Sequence, residues 1–285
     1  GSGTLGILIP PSLPLILYAI LADESVPRLF LAGVIPGLLQ AAIFIGWVML
    51  YGQVKKLPPE PRMPAAQFVK VNLHAVPALL VPIIIAVGIY GGYTTATEAA
   101  VLAAVVALAI ALFYYKGFHW SETMSVIGDS IRNAGSIMII IATALAFGHW
   151  ITESGLPAML VEALVGYGLT AWQFLLCINI LLLILGMFLE VASVMLITMP
   201  ILIPLLKPLG IDPIHFAIVV TINMELALIT APVGLNLYVM AGISKRPLGE
   251  VIRGVNPFLF LMLLLLVLVT YVPEVSLWLP RLVFG

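Results

Sequence analysis

Apolar residues in this chain come in long runs rather than in the three-and-four or alternating spacing of soluble helices and strands. Residues 29–50 and 255–272 stay predominantly apolar for roughly 20 positions, enough to cross a hydrocarbon core. Similar runs at 73–92, 97–115, 126–150, 172–189, 191–206 and 213–229, with 13–22 as the end of a longer element, predict helices throughout. The runs recur along the whole chain, so a signal peptide does not account for them. The pattern predicts an all-α polytopic membrane protein.

Composition and charge sharpen this. Hydrophobic residues make up 62% and charged residues 9% of the chain, against about 25% charged in soluble domains, and mean hydropathy is +1.20. Cys177, the single cysteine, sits in an apolar run, which argues against disulfides and thiolate metal clusters. A net charge of −1 excludes a basic nucleic-acid surface. Lys55, Lys56, Arg62 and Lys70 place the loop at 51–72 in the cytoplasm by the positive-inside rule. From there the map closes only if 172–206 is a re-entrant hairpin: its two halves meet at GMFLEVASVM, which has no polar loop able to emerge into water. Residues 213–243 then run inward, and nine Lys or Arg fall inside against three outside (28, 207 and 281).

The segment LITAPVGLNLYV at 228–239 puts proline, glycine and asparagine inside an apolar helix. The stretch GTLGILIPPSLPLILYAI, beginning at Gly3, matches this region at an offset of 221 residues, with Leu8 opposite Ile229 and Pro11 opposite Pro232. The same offset pairs Gly33 with Gly254, Val34 with Val255 and Pro36 with Pro257. The acidic connector DESVPR and its basic counterpart SKRPLGEVIR fall on opposite sides, so the copies are inverted. Inverted repeats with discontinuous helices mark secondary transporters that bind substrate and ion near the membrane midplane. The expected division is 1–50, the end of a first repeat with a discontinuous helix and a scaffold helix; 51–72, a linker; and 73–285, a second repeat with hairpin 172–206 and discontinuous helix 213–243. The hairpin has no counterpart before residue 1 and the chain lacks an initiating Met, so it reads as the C-terminal part of a longer protein.

A helix broken inside a membrane leaves carbonyls unpaired, and a small cation needing several oxygens can use them. Thr230 adds a hydroxyl oxygen, Asn236 an amide oxygen, and Gly234 permits close backbone approach; Thr4, Gly6, Pro10, Pro11 and Ser12 offer the same chemistry in the first copy. A set without carboxylates suits Na⁺ better than a divalent ion. At the hairpin tip, Glu190 and Ser193 stand where helix ends meet. In GGYTTATEAA, Thr94 or Thr95 can cap a helix whose first turn holds Glu98. Asp129 and Arg132 are expected to pair across one turn, and the scattered histidines 74, 119, 149 and 215 to be structural or interfacial. No His–Glu–x–x–His occurs, and Ser193 in VASVM has no protease setting, which argues against an enzyme.

GTLGILIPPS with FLAGVIPG, then TTATEAA, GMFLE and TAPVGLNLYV, resemble in order the large membrane subunit of tripartite ATP-independent periplasmic (TRAP) transporters. The resemblance implies an inverted-repeat, elevator-type secondary transporter in the bacterial inner membrane. It would be driven by sodium and would import an organic acid such as a dicarboxylate, keto acid or sialic acid. A periplasmic binding protein would deliver the substrate, and a small four-helix membrane subunit would pack alongside. Carried onto this chain, Thr4, Gly6 and Pro10 would serve one sodium site, and Gly186, Thr230, Pro232 and Gly234 a second. Substrate would meet Ser12, Glu190, Ser193 and Asn236, with Thr94, Thr95, Thr97 and Glu98 as further candidates. Glu190 stands where family members often carry Asp, and Ala231 where they often carry Pro. A stand-alone proton-coupled anion transporter using Glu190 or Glu98 is the alternative.

Overall fold

The computed structural model describes residues 3–56, 58, 63–117, 119–166 and 168–285, the side chains of 164 and 165 apart. Arg62, assigned above to the cytoplasmic loop, lies outside the described residues. In chain order the helices are α1 (Leu5–Leu8), α2 (Leu13–Ala22), α3 (Val26–Val54), α4 (Ala65–Tyr90) and α5 (Ala96–Ala109). There follow α6 (Thr123–Glu153), α7 (Leu156–Gly166), α8 (Ala171–Gly186), α9 (Val191–Leu206) and α10 (Pro213–Leu228). The last are α11 (Leu235–Ser244), α12 (Leu248–Tyr271) and α13 (Glu274–Phe284). No strand occurs among the described residues. Six segments, counting Leu5–Ala22 as one, are long and apolar enough to cross a membrane. The chain is an all-α polytopic membrane protein.

Two compact units form, one from Gly1–Val48 with Ile140–Gly285 and one from Met49–Ile139. At the centre of the larger unit stands α10, with every residue from Ile214 to Ala227 buried. Asp212 starts it, its Oδ1 accepting from the backbone N–H of Ile214 (2.8 Å) and His215 (3.2 Å), and Pro213 takes the first helical position, where no donor is needed. A helix apolar nearly all round belongs inside a bundle, and α1, α2, α8, α12 and α13 surround this one. Lipid supplies no hydrophobic drive between helices, so close packing and interhelical hydrogen bonds hold the bundle. Asn223 Nδ2 on α10 donates to the backbone O (2.8 Å) and Oδ1 (2.9 Å) of Asn179 on α8. Asn179 Nδ2 in turn donates to Thr270 Oγ1 on α12 at 3.1 Å. His215 lies between Ser276 Oγ on α13 (2.8 Å) and the Thr270 carbonyl (3.3 Å), a structural histidine. Tyr18 Oη of α2 donates to the Pro213 carbonyl at 2.8 Å.

α8 and α9 have 16 residues each and are joined by a four-residue tip. At 1.5 Å per residue each is about 24 Å long, short of the roughly 20 residues a full crossing takes. On α3, Gly33, Gly37 and Gln40 share one face at helical spacing. A Cβ on Gly33 would stand 2.5 Å from the Leu8 carbonyl, and one on Gly37 2.6 Å from the Ile9 side chain, so these glycines let α3 seat against the end of α1.

In the smaller unit, α4 and α5 pack together, and Tyr115 Oη donates to the His74 carbonyl at 2.8 Å. A π-helical turn (Ile110–Tyr115) ends that pair.

Three features differ from the sequence reading. α4 begins at Ala65, ahead of the apolar run from 73. Asp129 and Arg132 form no ion pair; both are exposed, where such a pair is worth about 0–1 kcal/mol and does not hold two side chains. Beyond the last span lies α13, unforeseen because Glu274, Pro280 and Arg281 interrupt its apolar pattern. Its buried Ser276 and Leu277 anchor it.

Gly33 and Gly254 occupy equivalent repeat positions but only Gly33 is crowded: nothing lies within 4 Å of a Cβ at Gly254. Gly33→Ala is expected to destabilise the protein by about 1–3 kcal/mol. Gly254→Ala should be neutral or stabilising by up to about 1 kcal/mol. Thermal unfolding of both variants in detergent checks the contrast.

Candidate functional site

Both predicted helix breaks are present, between α1 and α2 and between α10 and α11. In the first, no backbone N–H of a described residue donates to the carbonyls of Leu8, Ile9 and Pro10; in the second, none donates to those of Ile229, Thr230 and Ala231. These are the same three positions under the 221-residue offset. The peptide bonds preceding Pro11 and Pro232 are both cis. Each break thus presents a row of carbonyl oxygens without backbone donors, which is the chemistry a desolvated monovalent cation requires.

The side chains at the second break divide into two kinds. Thr230 Oγ1 donates to the Leu226 carbonyl at 2.6 Å, which spends its proton and leaves its lone pairs. The Asn236 amide makes no hydrogen bond to any described residue and is half-buried. Gly234 adopts φ +42°, and a Cβ there would stand 2.7 Å from the Thr230 carbonyl, so only glycine closes this turn without strain. The Pro232 carbonyl accepts from Tyr238 Oη at 3.4 Å.

Against this break comes the hairpin tip. A Cβ on Gly186 would lie 2.6 Å from Ala227 Cβ, so the glycine lets the tip approach α10 closely. A cleft of about 150 Å³ results, lined by Gly186–Glu190, Leu228, Val233, Gly234 and Leu235. Glu190 precedes α9, exposed and without a capping bond, and Ser193 is half-buried in the first turn of α9. The first-turn N–H groups of α9, which have no partner within the helix, stand beside these residues.

In the first break, Ser12 is fully buried. Its hydroxyl donates to the Ile7 carbonyl and accepts from Leu15 N–H at 3.4 Å, so it caps α2 and is closed to a ligand in this conformation. Gly6 is exposed and Pro10 half-buried. Thr4 is 1% exposed and its Oγ1 accepts from Gln40 Nε2 at 3.4 Å.

Thr94, Thr95, Thr97 and Glu98 belong to the smaller unit. Thr95, not Thr94, caps α5: its Oγ1 accepts from Glu98 N–H (3.3 Å), while Glu98 Oε2 accepts from Thr95 N–H (2.8 Å) and Oγ1 (3.0 Å). That is a complete capping box. Thr94 Oγ1 is buried without a hydrogen-bond partner among the described residues, and Thr97 is exposed.

Sequence reasoning missed Glu225 and Gln40. Both are fully buried, and Gln40 Nε2 donates to Glu225 Oε2 at 2.7 Å. A lone carboxylate inside the apolar run of α10 was the available signal.

A family model described as "Tripartite ATP-independent periplasmic transporter, DctM component" matches residues 1–275. The chain belongs to this TRAP transporter family. The C4-dicarboxylate TRAP transporter large permease protein DctM of Pseudomonas aeruginosa is 44% identical over 280 residues, covering 98% of this chain and 66% of that protein. Its namesake in Vibrio cholerae is 38% identical over 304 residues, covering 100% of this chain and 67% of that protein. The sialic acid TRAP transporter large permease protein SiaM of Vibrio cholerae is 33% identical over 286 residues, covering 99% of this chain and 66% of that protein. The chain spans about two thirds of the length of these TRAP permeases.

Gly234→Ala is expected to cost about 1–3 kcal/mol through the left-handed φ and the contact with the Thr230 carbonyl. Gly242→Ala in α11, where a Cβ meets nothing within 4 Å, should leave stability unchanged or raised. Paired thermal unfolding curves test this. Thr95→Ala should cost about 1 kcal/mol through loss of the cap, read the same way.

Proposed function

We propose that this chain forms the ion- and substrate-handling part of a sodium-coupled secondary transporter of the bacterial inner membrane, importing an organic acid. The observation that carries this reading is the pair of helix breaks with three unbonded carbonyls at equivalent positions, the second facing a hairpin tip across a cleft. A C4-dicarboxylate is the proposed substrate class, in line with the names of two relatives above. A periplasmic binding protein would deliver it and a small membrane subunit would complete the complex. The chain is proposed not to be an enzyme.

In this reading Na⁺ is a co-transported substrate. At the second break it would take the free carbonyls of Ile229–Ala231, the lone pairs of Thr230 Oγ1 and the Asn236 amide oxygen. Neutralising that row of dipoles orders the break, and an ordered break preorganises an anion site at the start of α9 beside Ser193. Glu190 is reassigned here: an exposed carboxylate repels a carboxylate substrate, so it suits the cation side of the cleft. Opposite placement of the two breaks in an inverted repeat supports an elevator motion of the broken helices and hairpin against the remaining helices. Glu98 spends its Oε2 on the cap of α5, which argues against a proton-carrying role there.

The test is uptake of a labelled C4-dicarboxylate into proteoliposomes holding the complete transporter that carries this sequence, with its binding protein, at fixed pH. Uptake is expected to require an inward Na⁺ gradient. Asn236→Ala should raise half-saturating Na⁺ about tenfold, the loss of roughly one cation–oxygen contact of about 1.4 kcal/mol. Thr230→Val should act in the same direction. Uptake that ignores Na⁺ and follows a proton gradient overturns the sodium reading, and unchanged Na⁺ activation in both variants overturns this assignment of the site.

A further inference from the structure

The amide nitrogen of Gln40 has two buried partners, while Gln40 Oε1 has none among the described residues. Its Nε2 donates both to Glu225 Oε2 at 2.7 Å and to Thr4 Oγ1 at 3.4 Å. Thr4 and Glu225 are equivalent residues under the 221-residue offset that relates the two copies. Thr4 immediately precedes α1, four residues before the unbonded Leu8 carbonyl; Glu225 lies on α10, four residues before the unbonded Ile229 carbonyl. One side chain therefore joins the two helices that lead into the two breaks, at matching distances from each.

We infer that Gln40 is a positioning residue that couples the two breaks, so that ordering one raises the affinity of the other for Na⁺. The inference rests on the sodium-coupled reading above. Three observations carry it. First, all three side chains are buried, Gln40 and Glu225 fully and Thr4 to 1% exposure, so the bonds run where no water can replace them. Second, Gln40 extends from the face of α3 that already holds break one: Gly33 seats on the Leu8 carbonyl and Gly37 on the Ile9 side chain. A shift of α1 on ion binding moves against α3, and Gln40 is the bond by which α3 reaches α10. Third, the residue paired with Gln40 by the same offset is Leu261, which is apolar, so the second copy supplies no matching amide and the bridge through a side-chain amide is made on one side. Neither Gln40 nor Glu225 is placed among the ion ligands. Their effect acts through the geometry of the breaks.

Coupling of this kind is a measurable free energy between two sites, and its loss has a form distinct from the loss of a ligand. The experiment is Na⁺ activation of C4-dicarboxylate uptake by the complete transporter in proteoliposomes. Wild-type protein is expected to respond with a Hill coefficient above one. Gln40→Leu removes both bonds while nearly keeping the volume; Gln40→Asn keeps the amide but is one methylene too short to reach both partners. Each is expected to bring the Hill coefficient to about one and raise half-saturating Na⁺ about fivefold or more. The substrate KM at saturating Na⁺ should stay unchanged. Glu225→Gln retains an acceptor oxygen for Gln40 and should keep the cooperative response. Monodisperse elution of each variant establishes folding, and Gln40→Asn carries the test if Gln40→Leu does not fold. A Hill coefficient unchanged in the Gln40 variants overturns the inference. So does a Glu225→Gln variant as impaired as Gln40→Leu, since charge rather than the bond would then matter. A wild type with Na⁺-dependent uptake and a Hill coefficient of one also overturns it, whereas a wild type indifferent to Na⁺ overturns the sodium reading itself.

Discussion

Within a bilayer a polar group has no water to turn to, and each one left unpaired costs several kcal/mol. In the larger unit this constraint falls on α10, whose burial removes it from both water and lipid. Its polar side chains meet different neighbours in turn: His215 meets α12 and α13, Asn223 meets α8 through Nδ2, and Glu225 meets α3 through Oε2. Asn223 Oδ1 and Glu225 Oε1 have no hydrogen-bond partner among the described residues. Thr221 bonds back to the Ala217 carbonyl at 2.8 Å. Because helix association in lipid gains nothing from burying apolar surface, these pairings fix which neighbours α10 takes and in what register. The placement of the hairpin and of both breaks follows from that register.

The breaks invert the same rule. Where α10 pairs most of its polar atoms, each break leaves a row of carbonyls, Leu8–Pro10 and Ile229–Ala231 among them, without a backbone donor from any described residue. A single such site is open to reading as a proline kink, since every helix end leaves carbonyls unpaired. Two at equivalent positions, with Gly33 and Gly37 admitting α3 to one and Gly186 admitting the hairpin tip to the other, are a built feature. The unpaired oxygens are a cost that a bound cation offsets, which is why the fold and the proposed ion dependence are one argument. Asn236, half-buried and without a hydrogen bond to any described residue, adds a side-chain oxygen where the backbone already supplies several.

Much of this was legible in the sequence because it depends on local chemistry. Proline and glycine within apolar runs marked both breaks, and the absence of any charge but Glu190, and of any polar loop, around the tip marked the hairpin. The cap of α5 was legible as Thr94 or Thr95 with Glu98 in the first turn, and the capping box decides for Thr95. What escaped depends on partners distant in sequence. Gln40 and Glu225 are 185 positions apart, and no periodicity announces that one will face the other. Ser12 is a different case: it read as a ligand because its side chain is polar, and its hydroxyl turns to the local partners Ile7 and Leu15, the ordinary work of a helix cap. α13 escaped for a different reason: it is amphipathic rather than apolar, with Glu274 and Arg281 paired at 2.6 Å on its exposed face.

The two segments that the 221-residue offset pairs differ in what anchors them. After the first break, α2 buries Pro14, Leu15, Leu17, Tyr18 and Ala19 and is bonded through Tyr18 to the start of α10. Its counterpart α11 buries only Leu237. Before the breaks the order reverses: α10 is the most enclosed helix in the unit, whereas α1 has four residues. The well-held halves, α2 and α10, are thus bonded to each other, and the weakly held halves, α1 and α11, extend from them. Local opening is drawn from segments with few buried contacts, so compliance in this unit belongs to α1 and α11. An ion that binds at a break sits between one held half and one compliant half. It can therefore order the compliant half without disturbing the core, and the rigidity of α10 is what lets such ordering register elsewhere.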